Sequence, residues 1–339
     1  MKIIIRISII LFIALFVFGC SSDDTNNPPT LPDVYVVGFE NNENYDVAKL
    51  WENGIPTDLT DGTNTASTRS VTVVNNNNIY VAGYENNGFY DVAKLWKNGT
   101  PINLMVGNNN SSANSVIVVN DDVYVAGYEN NGSYDVAKLW KNGMATPDLT
   151  DGNDHARAYS ITVVNNDVYV VGYEHNLNNE RIAKLWKNGI ATPNLTDDNN
   201  NAVAYSIFVA NNDVYIAGFE NSVAKLWKNG VSTNLSDDNN FAQARSVTVV
   251  NDDVYVAGYE NNGSYDVAKL WKNGIATDLT DGSNAARARS VVVFNKDVYV
   301  TGFENNENDD AVAKLWKNGM PISLTDGSND ARARSVFVK

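Results

Sequence analysis

An all-β fold, a seven-bladed β-propeller of four-stranded blades, is predicted by three observations. The motif Trp-x-Asn-Gly recurs at Trp51, Trp96, Trp140, Trp186, Trp227, Trp271 and Trp316, so each of the 7 tryptophans in the 339-residue chain belongs to one repeat. Successive copies lie 45, 44, 46, 41, 44 and 45 residues apart, the length of a four-stranded propeller blade. The third observation is an offset. The repeating part opens on the second strand of a repeat, Asp33-Val34-Tyr35-Val36, and closes on the first, Arg334-Ser335-Val336-Phe337-Val338. An open stack gains nothing from this, whereas in a closed ring the last strand completes the blade begun at the other end and hydrogen-bonds the two ends together. The propeller is therefore expected over residues 33–339.

Ahead of the repeats, Met1-Lys2 and Arg6 precede an apolar run from Ile7 to Phe18 that is short for a bilayer span and reads as a secretory signal over residues 1–19. Its end, Val17-Phe18-Gly19-Cys20, resembles a bacterial lipobox, in which a small residue precedes a cysteine that is lipidated and becomes the new N-terminus. Cys20 is the only cysteine in the chain. Residues 20–32 are polar, contain Pro28, Pro29 and Pro32, and lack hydrophobic periodicity, the composition of a flexible tether. Ser21 after the cysteine resembles lipoproteins sent to the outer membrane, and Asp23-Asp24 resembles the surface-export signal of Bacteroidetes lipoproteins. A lipid anchor at Cys20 and an extracytoplasmic location, at the outer membrane or cell surface, are what these resemblances imply.

One repeat, Arg245 to Thr280, illustrates the blade. Arg245 to Val250 is apolar and β-branched, and Asn251-Asp252 turns the chain into a second strand, Asp253 to Glu260. After a loop, Val267 to Lys272 forms the third strand; Asn273-Gly274 suits a tight hairpin needing positive φ at both positions, and Ile275 to Thr280 forms the fourth. The strands are ordered from the hub outward. The repeat Val123 to Gly127 followed by Val136 to Leu139 resembles the bacterial seven-bladed propeller repeat of the SBBP type. Gly127 is followed by Tyr128, so the glycine pair of Kelch repeats is missing, as are the signatures of WD40 blades. The resemblance implies the fold and an extracytoplasmic setting, and it carries no catalytic residues.

Residues present in every repeat are expected to build blades. A tight hairpin in the shortest copy, Glu220-Asn221-Ser222-Val223, would make Glu220 a diagonal neighbour of Lys225, and its equivalents elsewhere predict a repeated ion pair. The tryptophan falls on the same face as Gly218 and Lys225 and is expected to pack between blades, over backbone left bare by glycine. The tyrosines from Tyr35 to Tyr299 at the matching second-strand position are expected in the core.

Variation therefore marks the functional face. The longer, variable loops all emerge on one side. The residue before the inner-strand serine varies as Arg69, Asn114, Tyr159, Tyr205, Arg245, Arg289 and Arg334. In a closed ring the four arginines occupy consecutive blades, and Tyr159 and Tyr205 lie opposite. This arrangement suits an anionic ligand, such as an acidic sugar or carboxylate-bearing peptide. The alternative is that each arginine pairs with a loop aspartate such as Asp61, Asp281 or Asp326. His155 and His175, with Asp151, Asp154 and Arg181, are expected near one another as solvated loop residues. The Asp/Asn/Gly loops at Asp151 and Asp281 resemble calcium-rich turns in composition only. Neither a metal nor a cofactor is expected.

Composition narrows the classes further. The chain is 43% hydrophobic and carries a net charge of −15, which becomes −17 once Lys2 and Arg6 leave with the signal. That excludes a disordered chain and argues against a nucleic-acid partner. A single cysteine excludes a disulfide framework. A monomeric binding or scaffold propeller for a glycan, peptide or protein ligand is expected, rather than an enzyme. The alternative is a glycoside hydrolase or polysaccharide lyase, for which a unique pair of carboxylates would be required.

Overall fold

The computed structural model describes residues 31–74, 78–105, 108–197 and 199–339. The segment read as a secretory signal, Cys20 and the stretch read as a tether, as far as Thr30, lie outside the described residues. Asp33–Lys339 forms one unit of seven four-stranded antiparallel sheets, and the chain is a seven-bladed β-propeller. Blade 1 combines Val34–Asn41, Asp46–Glu52 and Ile55–Asp58 with the C-terminal strand Ala331–Val338 as its inner member. Blades 2 to 7 follow in chain order. The C-terminal strand pairs from Val34↔Val338 to Glu40↔Ala331, and Asp33 and Lys339 exchange backbone hydrogen bonds of 3.0 and 3.1 Å, so the ring closes as the offset requires.

Inter-blade packing is built around tryptophan. All seven indoles are at most 1% exposed, and each packs against the blade before it. Trp96 meets Tyr35, Val37 and Leu50 of blade 1, while Trp51 meets Tyr299, Ala313 and Leu315 of blade 7 across the seam. The second-strand tyrosines share these clusters, with Tyr124 and Tyr169 only partly buried. A second link lies nearer the axis. Inner-strand serines accept from backbone N–H groups of the next blade, as in Val116 to Ser70 (3.2 Å), Val291 to Ser246 (3.1 Å) and Val336 to Ser290 (3.3 Å).

The predicted ion pair recurs in every blade, from Lys94–Glu85 at 2.8 Å to Lys138–Glu129 and Lys314–Glu304 at 3.4 Å. The Asn-Gly turns have both residues at positive φ, for example 50° at Asn273 and 81° at Gly274.

The inner strand differs from expectation. In blade 6 it runs Ala242–Val250, three residues earlier than Arg245. Its pairing jumps from Ala244↔Gly258 to Ser246↔Ala257, leaving Arg245 unpaired in a β-bulge. The extra residue breaks the period-two alternation, so the upstream half of the strand reads as loop. The strand-interior glycine also has a different reason from the one expected. A Cβ on Gly258 would stand 2.0 Å from the Gln243 carbonyl oxygen, and one on Gly38 would stand 1.9 Å from that of Arg332. The glycine makes room for the bulged backbone; the indole is a close neighbour at Gly218, where Trp227 Cζ3 would lie 2.9 Å away.

Candidate functional site

The bulge recurs in all seven blades, and the skipped residue is in each case the variable one: Arg69, Asn114, Tyr159, Tyr205, Arg245, Arg289 and Arg334. A bulge bends its strand and re-aims the extra side chain. Here all seven residues line one cavity of about 310 Å³ at the hub, together with Ser112, Tyr128 and Arg157. Going round the ring, Arg245, Arg289, Arg334 and Arg69 come from blades 6, 7, 1 and 2, Asn114 from blade 3, and Tyr159 and Tyr205 from blades 4 and 5.

The arginines are not neutralised by the loop aspartates. Asp61, Asp281 and Asp326 instead accept from the backbone and hydroxyl groups of Thr63, Ser283 and Ser328 at 2.6–3.0 Å. These bonds hold their carboxyls below the usual carboxylate range. Carboxylates reach a second tier of arginines two residues upstream. Arg157 binds Asp135 through Nε and Nη2 at 2.7 and 2.5 Å, Arg287 binds Asp266 at 2.6 Å, and Arg332 lies 3.4 Å from Asp330.

For the hub arginines, no ion pair forms among the described residues. Their Nε atoms on Arg69, Arg289 and Arg334 are sealed from water without an acceptor. Burial, followed by the like charge of Arg245 and Arg334, holds Arg289 well below the usual guanidinium range. Burial followed by Arg69 and Arg245 does the same to Arg334.

Aromatic faces hold the guanidinium groups instead. The residue after each strand-interior glycine is aromatic: Phe39, Tyr84, Tyr128, Tyr173, Phe219, Tyr259 or Phe303. Arg69 lies 5.4 Å over Tyr84, Arg334 5.6 Å over Phe39 and Arg289 5.9 Å over Phe303, while Arg245 stacks 3.6 Å above Tyr205. Stacking engages the face of a guanidinium and leaves its in-plane N–H donors directed outward. Of these donors, Arg245 Nη1 donates to Gln243 Oε1 at 3.1 Å.

On the opposite wall the bulged residues are uncharged, and Arg157 beside them is paired with Asp135. Tyr159 and Tyr205 lie with ring centroids 5.3 Å apart. Burial and the neighbouring Tyr205 raise the Tyr159 phenol, and burial with Tyr159 pushes Tyr173 up to about 12. Asn114 donates to the Ala158 carbonyl at 2.8 Å and accepts from Ser112 at 3.1 Å, so its amide ties blade 3 to blade 4.

His155 and His175 do come together, with ring centroids 5.7 Å apart. His155 Nδ1 accepts from the Asp135 backbone N–H at 3.1 Å, and His175 Nδ1 lies 2.6 Å from Asn179 Oδ1. Arg181 stands opposite His175 in the strand register, and its Nε donates to Asn201 Oδ1 at 2.9 Å. Asp151 forms a turn with Asn153 at 3.0 Å. Among the described residues, no group of three or more His, Cys, Asp or Glu is arranged to hold a metal.

Sequence reasoning missed the aromatic belt and the second arginine tier. Both carried a signal: an aromatic after every strand-interior glycine, and the Arg-Ala-Arg steps at Arg287 and Arg332.

No protein-family model and no curated protein matches the chain. A solved structure from work on two prolyl endopeptidases and their inter-domain dynamics superposes on 91% of this chain with a TM-score of 0.50 and 12% identity. The chain spans 50% of that protein's length. At this identity the likeness concerns the fold alone.

Proposed function

We propose that this protein is a lipid-anchored, extracytoplasmic binding propeller that takes an anionic glycan, peptide or protein ligand at its hub. The observation that carries this reading is the convergence of four arginines from consecutive blades on one cavity without a carboxylate partner. Unpaired charge in a partly dry cavity is costly, and a bound anion offsets that cost. The surrounding protein is strongly acidic, so the hub offers a local positive field that favours docking in one place and orientation. Among the described residues, the cavity lining holds no carboxylate, which supports binding over glycoside chemistry, where a general acid and a second carboxylate are required.

The full chain purified in detergent and applied to glycan and peptide arrays should retain acidic members, weaken as salt rises, and lose them on Arg289→Gln/Arg334→Gln substitution. Retention of neutral ligands unaffected by that double substitution would refute the reading. The anchor is tested separately. Cys20→Ala should release the protein from the membrane fraction, and wild type should incorporate radiolabelled palmitate; a membrane-bound mutant with no label in wild type excludes lipidation.

A further inference from the structure

Resting on that reading, the hub also restricts the size and charge of its ligand. We infer that the cavity receives a compact multivalent oxyanion, a di- or tricarboxylate or a phosphate-bearing group, with Arg289 and Arg334 as its inner contacts and Arg69 and Arg245 at its flanks. Three features lead there. The first is charge. Arg289 and Arg334 are half-buried, each with its Nε sealed from water and without an acceptor, and each lies in the repulsive field of neighbouring arginines. A single negative charge among four cations leaves most of that repulsion in place, whereas two or three charges on adjacent atoms relieve it.

The second feature is geometry. Each of the four guanidinium groups has an aromatic ring against it, at 3.6 Å for Arg245 and 5.4–5.9 Å for the others. With Nε sealed on Arg69, Arg289 and Arg334, the terminal Nη donors are the groups left to meet oxygen atoms, and a planar guanidinium favours carboxylate and phosphate over halide. The third is size. About 310 Å³ lies at the lower end of the range for small-molecule sites, enough for a compact anion and a short attached body. Tyr159, which lines the cavity away from the arginine arc, gives that body an aromatic surface, so the charged end faces the arginines.

The test uses the full chain in detergent at constant ionic strength. Melting temperature and titration calorimetry are followed with citrate, pyrophosphate and, as a monovalent control, acetate. Citrate or pyrophosphate at about a hundred times its dissociation constant should raise the melting temperature by roughly 5 °C, with acetate inert. A response to citrate alone assigns the carboxylate form, and a response to pyrophosphate alone assigns the phosphate form.

Arg289→Gln/Arg334→Gln should abolish the shift, yet melt at or above wild type without ligand, because the mutual repulsion of two unpaired, half-buried cations is gone. A merely structural role for these arginines predicts the opposite, a lower melting temperature. Arg289→Lys/Arg334→Lys, which keeps charge but loses the forks, should bind at least tenfold more weakly and serves if the glutamine variant does not fold. Should neither citrate nor pyrophosphate bind while arrayed acidic polymers do so through Arg289 and Arg334, the compact ligand is refuted and the binding function stands. Should no anion of any kind bind, both fall. An unchanged shift in the double variant overturns the assignment to the hub.

Discussion

A missing Cβ sets the direction of each hub side chain. Gly258 does not need a left-handed backbone; it needs space, because the Gln243 carbonyl oxygen occupies the place where a Cβ would go, 2.0 Å away. That carbonyl is part of the bulge that turns Arg245 inward. Gly274 in the outer turn has the opposite requirement, with φ of +81° and nothing within 4 Å of a built Cβ. Gly258→Ala must therefore displace backbone and should cost about 1–3 kcal/mol, while also weakening anion binding by shifting Arg245. Gly274→Ala should cost about 1 kcal/mol through backbone strain and leave binding unchanged. Urea denaturation with anion titration of both variants checks this. Wild-type stability and affinity in Gly258→Ala would mean that the bulge does not depend on the glycine.

At the scale of the strand, the repeat made most of the blade readable. Its tryptophan, its Glu–Lys diagonal and its Asn-Gly turn each recur, and recurrence separates structure from ligand contact without any other information. The turn asparagine also does more than accept positive φ. Asn273 Oδ1 accepts from the Val254 backbone at 2.8 Å and its Nδ2 donates to Asp253 Oδ1 at 2.8 Å, pinning the outer hairpin to the start of the second strand. The same pair of bonds recurs at Asn53, Asn142, Asn188, Asn229 and Asn318.

The site was only half legible at this scale. The variable position before the inner-strand serine was legible, with an arginine arc at the hub mouth expected from it, but the bulge that aims these side chains was not. The reason is physical: a bulge adds one residue to one strand, shifts the alternation by one, and gives no composition signal on its own strand. Its trace is the glycine on the neighbouring strand, which the sequence presents equally well as a place for the indole to rest. The partners of Asp135 and Asp266 were equally hidden. Asp135 lies 22 residues before Arg157 and Asp266 lies 21 before Arg287, and only the register shows that these pairs meet.

Closure is a property of the whole ring, and the hub depends on it. The four arginines are consecutive only because blade 1 borrows its inner strand from the C-terminus, so Arg334 fills the gap between Arg289 of blade 7 and Arg69 of blade 2. The same strand brings Ala333, Val336 and Val338 into one cluster with Trp51 and with Tyr299 and Leu315 of blade 7. Deleting Arg332 to Lys339 removes these contacts and unpairs the edge of Val34–Asn41. Two buried valines alone contribute roughly 3–6 kcal/mol, a large part of the 5–15 kcal/mol that typically separates folded from unfolded chains.

The truncated chain should therefore melt well below wild type or associate through the exposed strand, which scanning calorimetry and light scattering would record. Arg334→Gln provides the contrast, since it removes the charge and keeps the strand. It should weaken anion binding without opening the seam. If the truncated chain melted at the wild-type temperature, the C-terminal strand would not be holding the ring closed, and the contiguous arginine arc that depends on it would be lost as well.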